Sequence, residues 1–333
     1  MSQCMLRKPW VVVLFGCAIL CATVLPAAGE KEMSKEEGDE AWADHLPVPR
    51  IGVRYEDLRP TRGYSSTTVW VHVPEIPGSV LDLVCYEHNP MLSHRSLDGG
   101  AIELRHRSKE NPNVLLITTI KPQPGAVEFV ARAEVDREQD PEGELPDEMP
   151  KPNLCFRVKR AEDCFSHFPD PFPEFISRCF IFTDNGRTFL TDTVRQKNPG
   201  AAEDDPRNNP PWIQIYVGVW QPRPRLVNTK TWYHASPDRF TIPIMGVVSR
   251  DGKYLTAIAN DSPDRDRMTQ AWQQCLHNNP KWLPEKSPPE DRRWRVKIYV
   301  MHNDPEALLE RVAKDFPNAP KLQENRVPAP SSR

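Results

Sequence analysis

The segment GVVSRDGKYLTAIAN, residues 246–260, predicts two β-strands joined by a tight turn. Both halves are rich in Val, Ile, Leu, Thr and Tyr, which suit a pleated and half-buried strand. Asp251-Gly252 lies between the halves, and an Asp-Gly pair favours a type I′ turn because its central residues need positive φ. We therefore predict an antiparallel hairpin at this point in the chain.

Two other segments follow the same design. RCFIFTDNGRTFLTDT (178–193) has its turn at Asn185-Gly186, and ITTIKPQPGAVEFVARAEV (117–135) has its turn at Pro-Gln-Pro-Gly. Short apolar runs bounded by turn-forming residues predict further strands. These runs lie at residues 67–73, 79–86, 100–107, 113–120, 153–160, 212–220 and 293–301.

One helix is predicted, in the segment NDPEALLERVAKDFP, residues 303–317. Asp304 is suited to the N-cap and Pro305 to the first helical position. An apolar stripe at helical spacing follows, formed by Leu308, Leu309, Val312, Ala313 and Phe316. Many strands with one late helix predict a mainly β protein, a large antiparallel β-sandwich with one C-terminal helix.

The first 29 residues have the pattern of a secretory signal peptide. Arg7 and Lys8 precede an apolar run, and the small residues of 27–29 suit signal peptidase. The run is shorter than the roughly 20 residues of a membrane span, which argues against the alternative of a transmembrane anchor. We expect export to the periplasm or the medium, with no membrane span after cleavage. Lipidation at Cys17 is a weaker alternative.

After this leader we expect a flexible charged segment at 30–48, a single β-sandwich domain at 49–317 and a proline-rich flexible tail at 318–333. The acidic segment 134–153 is open to two interpretations, a domain boundary or a surface insertion. We prefer the insertion because strand patterns of the same kind lie on both sides of it. The oligomeric state is not predicted.

Charge and cysteine content exclude some classes of protein. The formal net charge is −3, whereas a nucleic-acid-binding protein needs a basic excess to neutralise phosphates. Five cysteines follow the leader, at positions 85, 155, 164, 179 and 275. Because five is odd, at least one is unpaired or pairs outside the chain.

No CxxC motif occurs, and Asp261, Asp264 and Asp266 lack the spacing of an EF-hand. We therefore predict neither a metal site nor a cofactor.

The second half of the chain resembles a known set of proteins. The motifs are RCFIFTDNGRTFLTDT (178–193), PPWIQIYVGVW (210–220), IPIMGVVSRDGKYLTAIAND (242–261), QQCLHNNPKW (273–282) and RRWRVKIYVMHNDPEALL (292–309). Their order resembles that of uncharacterised secreted bacterial β-sandwich proteins and is similar to the galactose-mutarotase-like supersandwich, a fold of sugar-acting proteins. The mutarotase catalytic pair is a histidine and a glutamate. The glutamate matches no position here, so the resemblance does not imply an epimerase.

The segment AWQQCLHNNPKW, residues 271–282, has the composition of a sugar-binding surface. Indole rings cover the apolar face of a pyranose, and planar amides hydrogen-bond to its hydroxyls. A second aromatic and polar group lies at 220–239. The predicted substrate-binding residues are Trp272, Gln273, Asn278, Trp282, Trp220, Trp232, His234, Arg239 and Arg250.

His277 is the predicted catalytic residue, because histidine exchanges protons near neutral pH. The first hypothesis is an exported enzyme that processes a glycan by general acid–base chemistry. The alternatives are a non-catalytic carbohydrate-binding or accessory domain, and a structural or interaction protein of the envelope. The alternative for the aromatic segment is an ordinary surface loop whose amides cap turns, with Trp272 and Trp282 packed into the sandwich. Whether the loops expected at 220–239 and 271–283 meet is a question for the tertiary structure.

Overall fold

Strands dominate the computed structural model of the chain. The described residues are 46–59, 64–74, 76, 80–85, 89–150, 152, 154–158, 164–165, 172–196, 214–221, 234–260, 267–271 and 275–318. They belong to one compact unit, Trp42–Arg333. The predicted signal peptide, most of the flexible segment predicted at 30–48 and nearly all of the tail predicted at 318–333 lie outside the described residues. No described helix is long and apolar enough to cross a membrane.

The first sheet contains eight described strands. In spatial order they are β1 (Arg50–Arg59), β2 (Tyr64–His72), β3 (Val80–Cys85), β8 (Leu154–Arg157), β16 (Cys275–His277), β15 (Arg267–Ala271), β11 (Gln214–Gly218) and β12 (His234–Phe240). Neighbouring strands are antiparallel, except that β11 and β12 are parallel.

The second sheet contains nine described strands, and every neighbouring pair is antiparallel. In spatial order they are β10 (Gly186–Phe189), β9 (Cys179–Thr183), β13 (Ile242–Val248), β14 (Tyr254–Asn260), β17 (Trp294–His302), β7 (Ala126–Val135), β6 (Val114–Gln123), β5 (Ile102–Arg107) and β4 (Met91–Ser96).

The two sheets share one apolar core. A single cluster of buried side chains includes Phe156 and Leu276 of the eight-stranded sheet together with Leu104, Phe129 and Ile298 of the nine-stranded sheet. Apolar burial of this kind is the main favourable contribution to folding. The prediction of a mainly β, largely antiparallel sandwich is therefore confirmed. The acidic segment 134–153 connects β7 to β8 and so passes from one sheet to the other.

The three predicted hairpins are present, as β6–β7, β9–β10 and β13–β14. Each turn contains a glycine with positive φ, namely Gly125 at 61°, Gly186 at 79° and Gly252 at 78°. A side chain would be strained in this conformation, which explains why glycine occupies the turns.

The predicted helix is α2 (Pro305–Asp315), and a short helix α1 (Phe172–Arg178) precedes it in the chain. The Asp304 carboxylate accepts hydrogen bonds from the amides of Glu306 and Ala307, as expected of an N-cap. Three residues of its apolar stripe, Leu308, Val312 and Phe316, are buried in a second cluster with residues of the nine-stranded sheet. Ala313 is exposed, which differs from the prediction, because it lies at the solvent-facing edge of the stripe.

The sequence patterns do not predict β1, β4, β12, β15 or β16. β1, β4 and β12 are edge strands, where polar residues are tolerated, and β12 contains Pro237, a residue found on sheet edges. β16 lies inside the segment expected to be a loop. Its three residues form a strand because both of its neighbours pair with it.

Candidate metal centre

The candidate site lies on the paired strands β8 and β16. Their register places Cys275 opposite Arg157 and Leu276 opposite Phe156. The same register, extended by one residue, places Cys155 beside His277. Successive side chains of a strand point to opposite faces of its sheet. The residues of the two strands therefore divide into an inner and an outer set.

The outer set consists of Cys155, Arg157, Cys275 and His277, and it faces away from the shared core. The two cysteines form a separate buried pair, each 3% exposed. His277 and Arg157 are half-buried beside them. This face therefore concentrates two thiols, an imidazole and a guanidinium in one small area.

The imidazole of His277 lies between the two sulfur atoms. Its Nε2 is 3.4 Å from Cys155 Sγ and 3.3 Å from Cys275 Sγ. The two sulfur atoms and a ring nitrogen all lie within 4.8 Å of one another. Arg157 Nε donates a hydrogen bond to Cys155 Sγ over 3.3 Å. All three potential ligand atoms therefore face a common point.

The surroundings of Cys155 favour its ionised form. Its pKa lies well below the ordinary value of a thiol, chiefly because the Cys275 side chain hydrogen-bonds to the ionised sulfur. His277 lowers this pKa further through its charge and its hydrogen bond, and the charge of Arg157 adds to the effect, whereas burial opposes it. The thiolate is the form that binds metal ions and acts as a nucleophile.

The spacing of the three ligand atoms suits a tetrahedral metal ion. Zinc binds thiolate sulfur at about 2.3 Å and imidazole nitrogen at about 2.05 Å, so a tetrahedral S–Zn–N angle implies an S···N separation of about 3.6 Å. The two S···N distances in the site are 3.3 and 3.4 Å. Small side-chain movements would therefore be enough to accommodate an ion.

A disulfide between Cys155 and Cys275 fits the strand geometry less well. The two residues are diagonal neighbours across β8 and β16 rather than directly opposite each other. Diagonal Cα atoms are about 7–8 Å apart in antiparallel sheets, and cysteines whose Cα atoms are more than about 7 Å apart need backbone movement to form a disulfide. The structure contains no disulfide between them.

Among the described residues the cluster supplies three ligands. Two further described cysteines, Cys164 and Cys179, do not belong to it. Three protein ligands leave a coordination position for water or another small ligand, which is typical of catalytic rather than structural zinc sites. Asp261, Asp264 and Asp266, whose spacing is not that of an EF-hand, lie outside the described residues.

The structure places His277, the predicted catalytic residue, inside this cluster, but it places Asn278 in the interior. Asn278 is fully buried, and its amide nitrogen donates to the carbonyl oxygens of Pro243 and Ile258. Its side-chain oxygen accepts a hydrogen bond from Asn260. Asn278 therefore connects the end of β16 to the nine-stranded sheet.

Trp282 follows β16 by five residues and does not belong to the cysteine cluster. It is 6% exposed, and its ring N–H donates to the carbonyl of Pro150 over 3.0 Å. It lines a cavity of about 440 Å³ whose other residues are Asp147, Glu148, Met149, Lys281, Glu285 and Arg292. The aromatic ring and the charged side chains of this cavity are separate from the Cys155–Cys275–His277 cluster.

The predicted residues of segment 220–239 are divided between the two ends of β11 and β12. Trp220 packs edge-on against Phe240 with ring centroids 5.4 Å apart. Arg239 donates to the carbonyl oxygens of Gly218 and Gln221. These residues lie at the end where β11 and β12 finish, because Gly218 pairs with Phe240.

His234 begins β12 at the opposite end, which is the end that carries the cysteine cluster. It pairs with Gln214, Gln214 pairs with Gln270, and Gln270 pairs with Leu276. Because neighbouring strands are about 4.8 Å apart, β12 and β15 are separated by about 10 Å here. Trp232 precedes His234 by two residues and Trp272 follows Gln270 by two, but both tryptophans and Gln273 lie outside the described residues.

Arg250 is far from this arrangement in the described fold. Its guanidinium is 3.6 Å from the Glu174 carboxylate, and both side chains are largely exposed. It occupies the turn between β13 and β14 in the nine-stranded sheet. Its position is that of an exposed arginine in a turn, and not of a residue beside His277.

Cys155, Cys275 and Arg157 are not among the site residues predicted from the sequence. A signal was present in the spacing, because Cys-x-His at 275–277 and Cys-x-Arg at 155–157 each place two polar side chains on one face of a strand. Period-two spacing of ligands is informative only when the segment is known to be a strand, and segment 271–282 was expected to be a loop.

Comparison with known proteins does not identify a relative. No family model matches the sequence, and no curated protein matches it.

Proposed function

We propose that this protein binds a thiophilic transition-metal ion through Cys155, Cys275 and His277. The observation that carries the proposal is the convergence of two sulfur atoms and one imidazole nitrogen within 4.8 Å. Thiolate and imidazole are the ligands preferred by zinc and copper(I). The lowered pKa of Cys155 favours the ionised form that coordination requires.

The position of the cluster argues for a functional role for the metal rather than a purely structural one. The shared apolar core contains side chains of both sheets and does not include Cys155 or Cys275. A domain with such a core does not need a metal ion to fold, in contrast to small zinc-dependent domains. Three ligands at one end of the sheet would leave a coordination position for an external ligand.

The experiment measures metal binding by the reduced full-length chain. The protein is titrated with Zn²⁺ in competition with a chromophoric chelator, and bound metal is quantified by elemental analysis. We expect one ion per chain, and we expect Cys155→Ser, Cys275→Ser and His277→Ala each to weaken binding by at least about 100-fold.

Cys164→Ser and His94→Gln are the matched controls. Cys164 is a cysteine outside the cluster, and His94 is exposed on the edge strand β4. Both variants should bind one ion with unchanged affinity. Absence of binding by the unmodified protein, or binding that survives in the three cluster variants, would show that the proposal is wrong.

Carbohydrate binding remains a second candidate function, in line with the resemblance to sugar-acting supersandwich proteins. Two observations support it. The strand ends adjoining Trp232 and Trp272 lie at the same end of the eight-stranded sheet, and Trp282 lines a cavity with charged side chains. Glycan-array binding by the intact protein, and its loss in Trp272→Ala or Trp282→Ala, would favour this function. No binding to any glycan would argue against it.

Export of the mature chain is also part of the proposal. It rests on the leader sequence, in which Arg7 and Lys8 precede an apolar run and small residues follow at 27–29. Fractionation of cells that express the full sequence, followed by N-terminal sequencing of the recovered protein, tests it. Recovery of the uncleaved chain in the cytoplasm would contradict export.

A further inference from the structure

Arg157 is a charged residue next to the Cys155–Cys275–His277 cluster. It stands opposite Cys275 in the strand register, and its Nε donates to the sulfur of Cys155 over 3.3 Å. An ion bound by the two sulfur atoms would therefore lie within a few ångströms of a guanidinium that is always protonated.

This arrangement changes the charge that a bound ion must balance. Two thiolates carry two negative charges, a neutral His277 carries none, and Arg157 supplies one positive charge. These groups together have one net negative charge. A monovalent cation would neutralise them, whereas a divalent cation would leave one positive charge in a largely buried place. Uncompensated charge is costly where water is excluded.

The number of ligands points in the same direction. Among the described residues the site offers two sulfur atoms and one nitrogen. Soft thiolate ligands select copper(I), whereas zinc would complete its four-coordinate shell with water or another small ligand, as it does in catalytic sites. Two sulfurs and one nitrogen can therefore hold the monovalent ion without a further ligand.

We propose that Arg157 is a specificity-determining residue that biases the Cys155–Cys275–His277 site towards a monovalent thiophilic cation, Cu⁺, and against Zn²⁺. This inference rests on the proposed metal-binding function and adds the charge class of the ion. Arg157 acts by Coulomb repulsion, which is twice as large for a divalent as for a monovalent ion at the same distance.

The test compares the affinities of one protein for two metals. The reduced full-length chain is titrated anaerobically with Cu⁺ against a copper(I)-specific chelator and with Zn²⁺ against a zinc chelator. Copper(I) binds most thiolate sites more tightly than zinc does, so the informative quantity is the ratio of the two affinities in each variant. We expect Arg157→Gln to shift this ratio towards zinc by roughly tenfold or more.

Two further variants separate charge from structure. Arg157→Lys retains the positive charge and should keep the ratio close to that of the unmodified protein. Arg132→Gln removes an arginine of strand β7 that lies in a surface ion pair with Glu134, and it should leave the ratio within about twofold. If Arg157 had a purely structural role, Arg157→Gln would weaken the binding of Cu⁺ and of Zn²⁺ equally. An unchanged ratio of the two affinities in Arg157→Gln would therefore overturn the inference.

The outcomes distinguish this inference from the proposal on which it rests. If neither metal binds the unmodified protein, metal binding itself is wrong. If both bind and the ratio is insensitive to Arg157→Gln, metal binding stands and only the selectivity is wrong. X-ray absorption of the copper-loaded protein should show two sulfur neighbours and one nitrogen neighbour, and a fourth protein ligand would contradict the three-coordinate site.

Discussion

The two faces of the strand pair β8–β16 have opposite chemistry. On the inner face, Phe156 and Leu276 are fully buried in the core shared by both sheets. On the outer face, Cys155 and Cys275 lie beside the half-buried His277. The same seven residues thus supply apolar packing on one side and potential metal ligands on the other, because side chains alternate along a strand.

This difference shows how a β-sandwich can carry a polar site without weakening its core. The reactive groups occupy positions that the core does not use, so their chemistry and the stability of the fold are largely separable. Variants of the inner face should change stability and leave metal binding intact, and variants of the outer face should do the reverse. The following predictions are ordered from the largest expected effect to the smallest.

Phe156→Ala should cause the largest loss of stability. Removing a fully buried aromatic ring costs about 3–5 kcal/mol in the free energy of unfolding. Cys275→Ala, on the outer face, should cost about 1 kcal/mol in the metal-free protein. Urea unfolding monitored by circular dichroism measures both. Equal losses would show that the two faces are not separable, and Phe156→Leu offers a milder substitution if the alanine variant does not fold.

A buried histidine between the two sheets should make the free energy of unfolding depend on pH. His106 on β5 is fully buried and hydrogen-bonds Thr67 of β2 over 2.7 Å, which links the two sheets. Burial lowers its pKa from 6.5 to about 3. The unfolded chain therefore takes up this proton first, so the contribution is intact above pH 6.5 and falls by about 1.4 kcal/mol per pH unit between 6.5 and 3.

His106→Gln should remove this slope from the dependence of the unfolding free energy on pH. His94→Gln, which changes an exposed histidine of β4, should retain it. Urea unfolding at intervals from pH 7 to pH 4 makes the comparison. A slope that is identical in all three proteins would mean that His106 is already accessible to protons in the folded state.

On the outer face of β8 and β16, the quantity that should depend on pH is the affinity for metal. The pKa of Cys155 is held low, chiefly by the hydrogen bond from Cys275, which favours the ionised form that binds metal. The apparent affinity for Zn²⁺ should therefore rise with pH by clearly less than the roughly hundredfold per pH unit expected when two thiols must each release a proton. Chelator competition between pH 7 and pH 8 measures this, and a hundredfold rise per unit would contradict the effect of the low Cys155 pKa.

Thr269→Val should have the smallest effect. Thr269 of β15 pairs directly with His277 on the outer face, is half-buried and does not belong to the ligand cluster. Its replacement should change the free energy of unfolding by less than about 0.5 kcal/mol. Its effect on Zn²⁺ affinity should be less than about threefold. A larger loss of affinity would make the Thr269 hydroxyl a participant in the site.

Local patterns predict much of the fold. The Asp251-Gly252, Asn185-Gly186 and Pro-Gln-Pro-Gly turns, together with the N-cap Asp304, depend on backbone conformations that only a few residue types favour. The same patterns do not predict β16, because Cys275, Leu276 and His277 have little strand preference of their own. Pairing with β8 and β15 holds these residues in extended form.

The candidate site was only partly accessible to sequence reasoning. The sequence predicts His277 as a site residue because histidine exchanges protons near neutral pH. It suggests the nearby tryptophans and amides as the neighbours of His277. The structure instead brings it to Cys155, and it places Asn278 in hydrogen bonds between the two sheets. Neighbours across a sheet can be distant in sequence, so proximity along the chain is a poor guide to which side chains meet.

The sequence by itself determined the mainly β class, the hairpins and the C-terminal helix, because turns, caps and side-chain periodicity act over a few residues. Tertiary structure alone decided that Cys155 and His277, which are 122 positions apart, meet, with 3.4 Å between Cys155 Sγ and His277 Nε2. That contact depends on the order and register of strands in the eight-stranded sheet, which arise from packing the whole core and not from any local segment.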